Sequence, residues 1–154
     1  MNQTYRIVAL APAISEAVRE TLRAPGYGHP AYVELAQSYG PCRSCLATFR
    51  QGEEERILFT YNPFANSDGL PAPGPIFIHR DSCTPYLGTR FPDGLRHLDL
   101  FLEGYGDHGW RVQRMRVVAG DVESPLAKLL ADPGIEFVDV RNAKAGCFIA
   151  RIER

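Results

Sequence analysis

Neither sign of charge dominates this sequence: 17 Lys and Arg stand against 18 Asp and Glu, a formal net charge of -1. It therefore lacks the basic field that draws in nucleic acid, and it has no acidic tail. Neither nucleic acid nor a charge-driven partner is expected. Long apolar runs are missing as well. No stretch approaches the roughly 20 apolar residues that span a bilayer, and the apolar start from Tyr5 to Ala11 is broken by Arg6 and stopped by Pro12, unlike a secretory signal. The expectations are no membrane and a cytoplasmic location. Familiar catalytic strings are absent too. There is no G-x-S-x-G elbow, no G-x-x-x-x-G-K-S/T phosphate loop, no H-E-x-x-H, and no G-x-G-x-x-G after a strand. Gly26-Tyr-Gly28 opens like the last motif but follows a helix-like segment and continues into His-Pro. No repeat and no interdomain linker stand out. A chain of 154 residues, 45% hydrophobic and 23% charged, predicts one globular domain over 1–154.

The spacing of apolar residues predicts the elements. Tyr5 to Ala11 reads as a strand, and Ile14 to Arg23 carries Ile14, Val18 and Leu22 on one helical face before Pro25 and Gly26. A second short helix is predicted over Pro30 to Tyr39. The segments Leu46 to Arg50 and Arg56 to Tyr61 read as a hairpin around Gln-Gly-Glu, and Asn62 to Gly74 as a long Pro- and Gly-rich loop. Pro75 to His79 reads as a strand beside Arg56 to Tyr61. Thr84 to Arg96 is loop; His97 to Tyr105 and Trp110 to Val118 form a hairpin around Gly106 to Gly109. Ser124 to Ala131 predicts a helix with Ser124 as N-cap and Pro125 in its first turn. Ile135 to Arg141 and Cys147 to Ile152 read as two last strands. The sum is an α+β fold: a mainly antiparallel sheet of about five to seven strands, about two or three short helices, and a zinc-knuckle-like turn.

Against these absences stand four cysteines, in a compartment where stable disulfides are rare. Cys42-x-x-Cys45 follows Gly-Pro, so a tight turn can aim two thiolates at one point. His79-x-x-x-Cys83 can supply a second pair, and four such ligands suit tetrahedral zinc. Cys147 is the alternative to His79 as fourth ligand. The other readings are a redox dithiol, which has no βαβ unit here to support it, and unliganded cysteines buried as small hydrophobes. Cys83 with His79 could also act as a thiol nucleophile.

Several strings, taken in order, carry a resemblance. Pro-Cys-Arg-Ser-Cys-Leu at 41–46, Gly-Glu at 52–53, Leu-Phe-Thr-Tyr-Asn-Pro-Phe at 58–64, Gly-Pro-Ile-Phe-Ile-His at 74–79 with Cys83, and Gly-Cys-Phe-Ile-Ala-Arg-Ile-Glu-Arg at 146–154 resemble the small bacterial family catalogued as domain of unknown function 1203. The family carries no established activity. The resemblance implies that Cys42, Cys45, Cys83, Cys147 and His79 all belong to the family pattern. The knuckle and the long loop fall within 40–84.

Arg43, Glu53, Tyr61, Arg141 and Arg151 could line a polar pocket for an anionic small molecule. Charges that alternate along strands more often form the solvated face of a half-buried sheet. Asp107-His108 in the hairpin turn reads as turn chemistry. Three functional readings follow: a domain with a structural zinc, an enzyme with a catalytic zinc or a cysteine nucleophile, and a metal-free module binding a small ligand or a protein through loop 62–75.

Overall fold

In the computed structural model, residues 4–38, 40–64 and 73–154 are described. The elements run β1 (Arg6–Val8), α1 (Pro12–Thr21), β2 (Tyr32–Leu35), β3 (Glu55–Tyr61), β4 (Gly74–His79), β5 (Leu100–Tyr105), β6 (Arg111–Arg116), α2 (Glu123–Ala131), β7 (Phe137–Asn142) and β8 (Phe148–Glu153). All strand pairing among the described residues is antiparallel. One sheet has the order β1-β8-β7-β5-β6, the other β2-β3-β4. The fold is α+β, and its larger sheet has five strands, as the hairpin-rich sequence predicts. No helix among the described residues is long and apolar enough to cross a membrane.

Alternation decides which side of each sheet is buried. In the large sheet Leu100, Leu102, Val138, Val140 and Ile152 point to one side and, with Leu126, Leu129 and Leu130 of α2, build the main apolar cluster. In the small sheet Ile57 lies opposite Ile78 and Phe59 opposite Ile76. These four join Val18 of α1, Leu10, Phe49 and Cys42 in a second cluster. Leu46, next to the thiol turn, packs instead in the main cluster, so one turn contributes to both cores. Truncating it to Ala should cost about 2–5 kcal/mol, read as a lower urea midpoint.

Three local expectations are corrected. Residues 32–35 are a strand rather than part of a helix over Pro30 to Tyr39; Tyr39 itself lies outside the described residues. A segment held between Pro30 and Gly40 is too short to support a helix alone, and β3 offers an open edge to Tyr32 and Val33. Leu46 to Arg50 does not pair with β3. Leu46 sits at φ 60, and its bonds close the thiol turn; only the bridge Pro41 to Thr48 is strand-like there. Ser124 lies inside α2, and Asp121 Oδ1 accepts its backbone N–H at 3.1 Å, taking the capping role. Of the long loop, residues 65–72 lie outside the described residues.

The close of the β5–β6 hairpin leaves no room for a side chain. A Cβ at Gly106 would stand 2.5 Å from the backbone oxygen of Gly134, whereas one at Gly94 would meet nothing within 4 Å. Gly106→Ala is expected to cost about 1–3 kcal/mol and Gly94→Ala at most about 0.5 kcal/mol, compared by urea unfolding.

Candidate metal centre

The turn at 42–46 is built by the backbone. Leu46 N–H donates to Cys42 O at 2.8 Å and Cys42 N–H to Ala47 O at 2.9 Å, and the positive φ of Leu46 lets the chain reverse beneath the two sulfurs. Neighbouring segments hold the turn in place. Arg43 N–H donates to Phe77 O of β4, Leu10 N–H to Arg43 O, and Tyr86 N–H to Ser44 O, each at 3.0 Å. The β3–β4 register, with Arg56 opposite His79, brings the end of β4 to the same place. There the backbone N–H of His79 donates to Cys42 Sγ at 3.2 Å. Cys83 arrives from the segment after β4.

As a result the ligand atoms of Cys42, Cys45, His79 and Cys83 all lie within 4.8 Å of one another. Cys42 Sγ and Cys83 Sγ are 3.8 Å apart; Cys45 Sγ and His79 Nδ1 are 3.5 Å apart. A tetrahedron with metal–sulfur bonds of about 2.3 Å and a metal–nitrogen bond of about 2.05 Å has S···S edges of about 3.8 Å and S···N edges of about 3.6 Å. Both observed distances fit it. A disulfide would require sulfurs about 2.05 Å apart, and all four cysteines are free thiols. Cys42 is fully buried, while Cys45, His79 and Cys83 are half-buried.

Two side chains complete the surroundings. Glu54 Oε2 lies 3.2 Å from His79 Nε2, so the carboxylate favours the proton on Nε2 and leaves the Nδ1 lone pair facing the sulfurs. Arg19 of α1 donates through Nε to the carbonyl oxygen of His79 at 3.0 Å and through Nη2 to Cys83 Sγ at 3.3 Å. The imidazole also rests against Phe49, ring centroids 4.7 Å apart.

The electrostatics are those of a crowded thiol cluster. The hydrogen bond to Cys42, with burial, pushes the Cys83 thiol up to about 12. The hydrogen bond from Cys42 holds Cys45 below its ordinary value. His79 is raised to about 9, first by its hydrogen bond with Cys42 and then by Glu54. Glu54 itself is lowered, chiefly by the backbone N–H of Arg50 and next by His79. A cation entering this cluster must displace protons, and its charge then replaces theirs.

The other expected residues scatter. Cys147 stays outside the group; its Sγ faces Ala145 O at 3.9 Å. It lies near Arg43, a buried guanidinium that donates to Phe148 O and Pro41 O, both at 2.7 Å. Burial lowers Arg43 to about 10. Tyr61 packs on Phe148, ring centroids 5.7 Å apart. Arg141 Nε lies 2.8 Å from Glu103 Oε1 and Arg151 Nε lies 2.8 Å from Asp139 Oδ1. These four surround the second face of the large sheet, while Glu53 is apart from them, paired with Arg50 at 3.7 Å on the surface. That face is not solvated as alternation suggests. Asp139 is 0% exposed, Glu103 4% and Arg141 8%, because Phe64 and Tyr61 pack across it. Arg19, Glu54, Glu103 and Asp139 carry no motif. No signal in the sequence separates them from the other charged residues of their segments.

No curated protein and no solved structure matches this chain at a significant level. The ordered strings around the thiol turn, the end of β4 and β8 all fall inside one family match over residues 40–154, and the chain belongs to the family described as Protein of unknown function (DUF1203).

Proposed function

We propose that this chain is a single small domain whose Cys42, Cys45, His79 and Cys83 hold one zinc ion as a structural centre, fixing the thiol turn to the end of β4 and to the segment at Cys83. One observation carries the reading: four protein ligand atoms from three segments lie within 4.8 Å of one another, and two opposite pairs, at 3.8 Å and 3.5 Å, match the edges of a tetrahedron. Three thiolates and an imidazole are the soft and borderline donors that zinc takes. Four protein ligands also leave no open position for a substrate or an activated water, which argues against a catalytic metal. Free thiols 3.8 Å apart suit a reducing compartment such as the cytoplasm, and the balanced charge supports a role without nucleic acid or membrane. The metal would link the small sheet, the turn that reaches the main core and the segment at Cys83.

The test is zinc content per chain by elemental analysis, with thiol titration before and after chelation. The proposal expects one zinc per chain and three thiols that react far more slowly until the metal is removed, with Cys147 reacting throughout. Zinc-free protein with every thiol open to reagent would overturn it. A depression of about 370 Å³ beside His79 and Cys83, lined by Glu53, Glu54, Glu55 and Asp81, gives a chelator access. Because Glu54 orients the imidazole, Glu54→Gln is expected to keep the stoichiometry but weaken zinc about 10–100-fold, measured by competition with a chromophoric chelator.

A further inference from the structure

Three thiolates and one neutral imidazole around a divalent ion carry one net negative charge, and of the four ligand residues one is buried and three are partly buried. A buried charge of that kind needs a partner. Among the described residues the one cation whose side chain reaches a ligand sulfur is Arg19, which spans two segments at once through His79 O and Cys83 Sγ. Its position is fixed from below: Val18, the residue before it, is buried in the second core, and Arg19 sits in the last turn of α1. Among the described residues no carboxylate pairs with it. Its guanidinium is therefore committed to the thiol cluster rather than to a surface ion pair.

Resting on the zinc reading, we infer that Arg19 is the charge-balancing residue of this centre. It holds Cys83 as a thiolate ligand, strengthens metal binding, and lowers the nucleophilicity of that sulfur towards electrophiles by donating a charge-assisted hydrogen bond to it. It does so from α1, outside the 40–154 span of the family match. The N-terminal segment of this chain thus contributes to a centre whose ligands lie wholly in the family region.

The experiment uses the full chain and the variants Arg19→Met and Arg19→Lys, each loaded with zinc. Zinc stoichiometry, zinc affinity by chelator competition, and the rate of alkylation by iodoacetamide, mapped by mass spectrometry to each cysteine, are measured together. In alkylation the sulfur forms a bond to carbon as iodide leaves, so the rate reports the nucleophilicity of each bound thiolate. Arg19→Met is expected to keep one zinc per chain, bind it about 10–100-fold more weakly, and alkylate several-fold faster at Cys83 than wild type, with Cys42 and Cys45 unchanged. Arg19→Lys, which restores the charge without the fork, should recover part of both effects. A mere packing defect would instead raise the reactivity of all three ligand cysteines alike, and that result overturns the inference. So does full stoichiometry with unchanged affinity and unchanged Cys83 reactivity, which leaves the zinc reading standing. A wild-type chain that takes up no zinc overturns both.

Discussion

Cys42→Ser should abolish stoichiometric zinc and lower the melting temperature of the purified chain by about 8–16 °C. Cys42 is the deepest of the four ligands, 0% exposed, and its sulfur touches both Cys83 Sγ and the His79 backbone N–H. A serine hydroxyl is shorter, harder and not ionised at neutral pH, so it cannot close the tetrahedron. The lost stability follows from mass action: free zinc at about a thousand times Kd contributes about 4 kcal/mol, and each kcal/mol is worth about 2–4 °C in a domain of this size. The loss stops short of complete unfolding because the main apolar cluster contains none of the four candidate ligands. A chelator should lower the melting temperature of wild type by the same amount and leave Cys42→Ser unmoved. Cys147→Ser is the contrast. Its sulfur lies outside the group, so zinc content and melting temperature should both stay at the wild-type values.

Arg151→Met should destabilise the chain by about 3–5 kcal/mol at neutral pH, a lower urea midpoint without loss of zinc. Asp139 is completely buried and accepts from Arg151 Nε at 2.8 Å and Nη2 at 3.2 Å. Directly across the sheet from it stands Glu103, whose own cations are Arg111 at 2.6 Å and Arg141 at 2.8 Å. Removing Arg151 leaves two adjacent carboxylates with less positive charge between them. Removing Asp139 is milder: Arg151 keeps 21% of its side-chain surface in water and can turn outward, and the repulsion on Glu103 disappears. Asp139→Asn should therefore cost less than Arg151→Met. Burial already raises the Asp139 carboxyl against the pull of Arg151, and loss of Arg151 raises it further. A carboxyl whose folded value exceeds its unfolded value loses stability as pH rises between the two. The defect in Arg151→Met should accordingly shrink as pH falls from neutral towards the carboxylate range.

The four candidate ligands were legible because a C-x-x-C turn is a local geometry, set by five residues, and because β3 and β4 are strands with strong β-formers that are consecutive in the chain and pair across the loop between them. That pairing alone returns His79 to the thiol turn. The β5–β6 hairpin and α2 were legible for the same reason: their patterns are local. What was hidden depends on contacts far apart in sequence. Arg19 on an amphipathic helix looks like any solvent-facing charge until the fold sets α1 beside Cys83. Glu54 and Glu53 are indistinguishable in the string Gly-Glu-Glu-Glu; the turn at Arg50 to Glu53 sends one to the imidazole and the other into water. In Phe-Val-Asp-Val-Arg the alternation places Val138 and Val140 in the main core, but cannot say whether the opposite face is covered. Phe64 covers it, from a segment about seventy residues away. Residues 32–35 failed as a helix because their partner, the edge of β3, comes about twenty residues later.

The most direct test of the centre is X-ray absorption at the zinc edge on protein purified without a metal-binding tag. The account predicts one zinc per chain with three sulfurs at about 2.3 Å and one nitrogen at about 2.05 Å, the nitrogen shell showing imidazole scattering. A sphere with two or fewer sulfurs, with a bound water in place of His79, or with four sulfurs including Cys147 would contradict it.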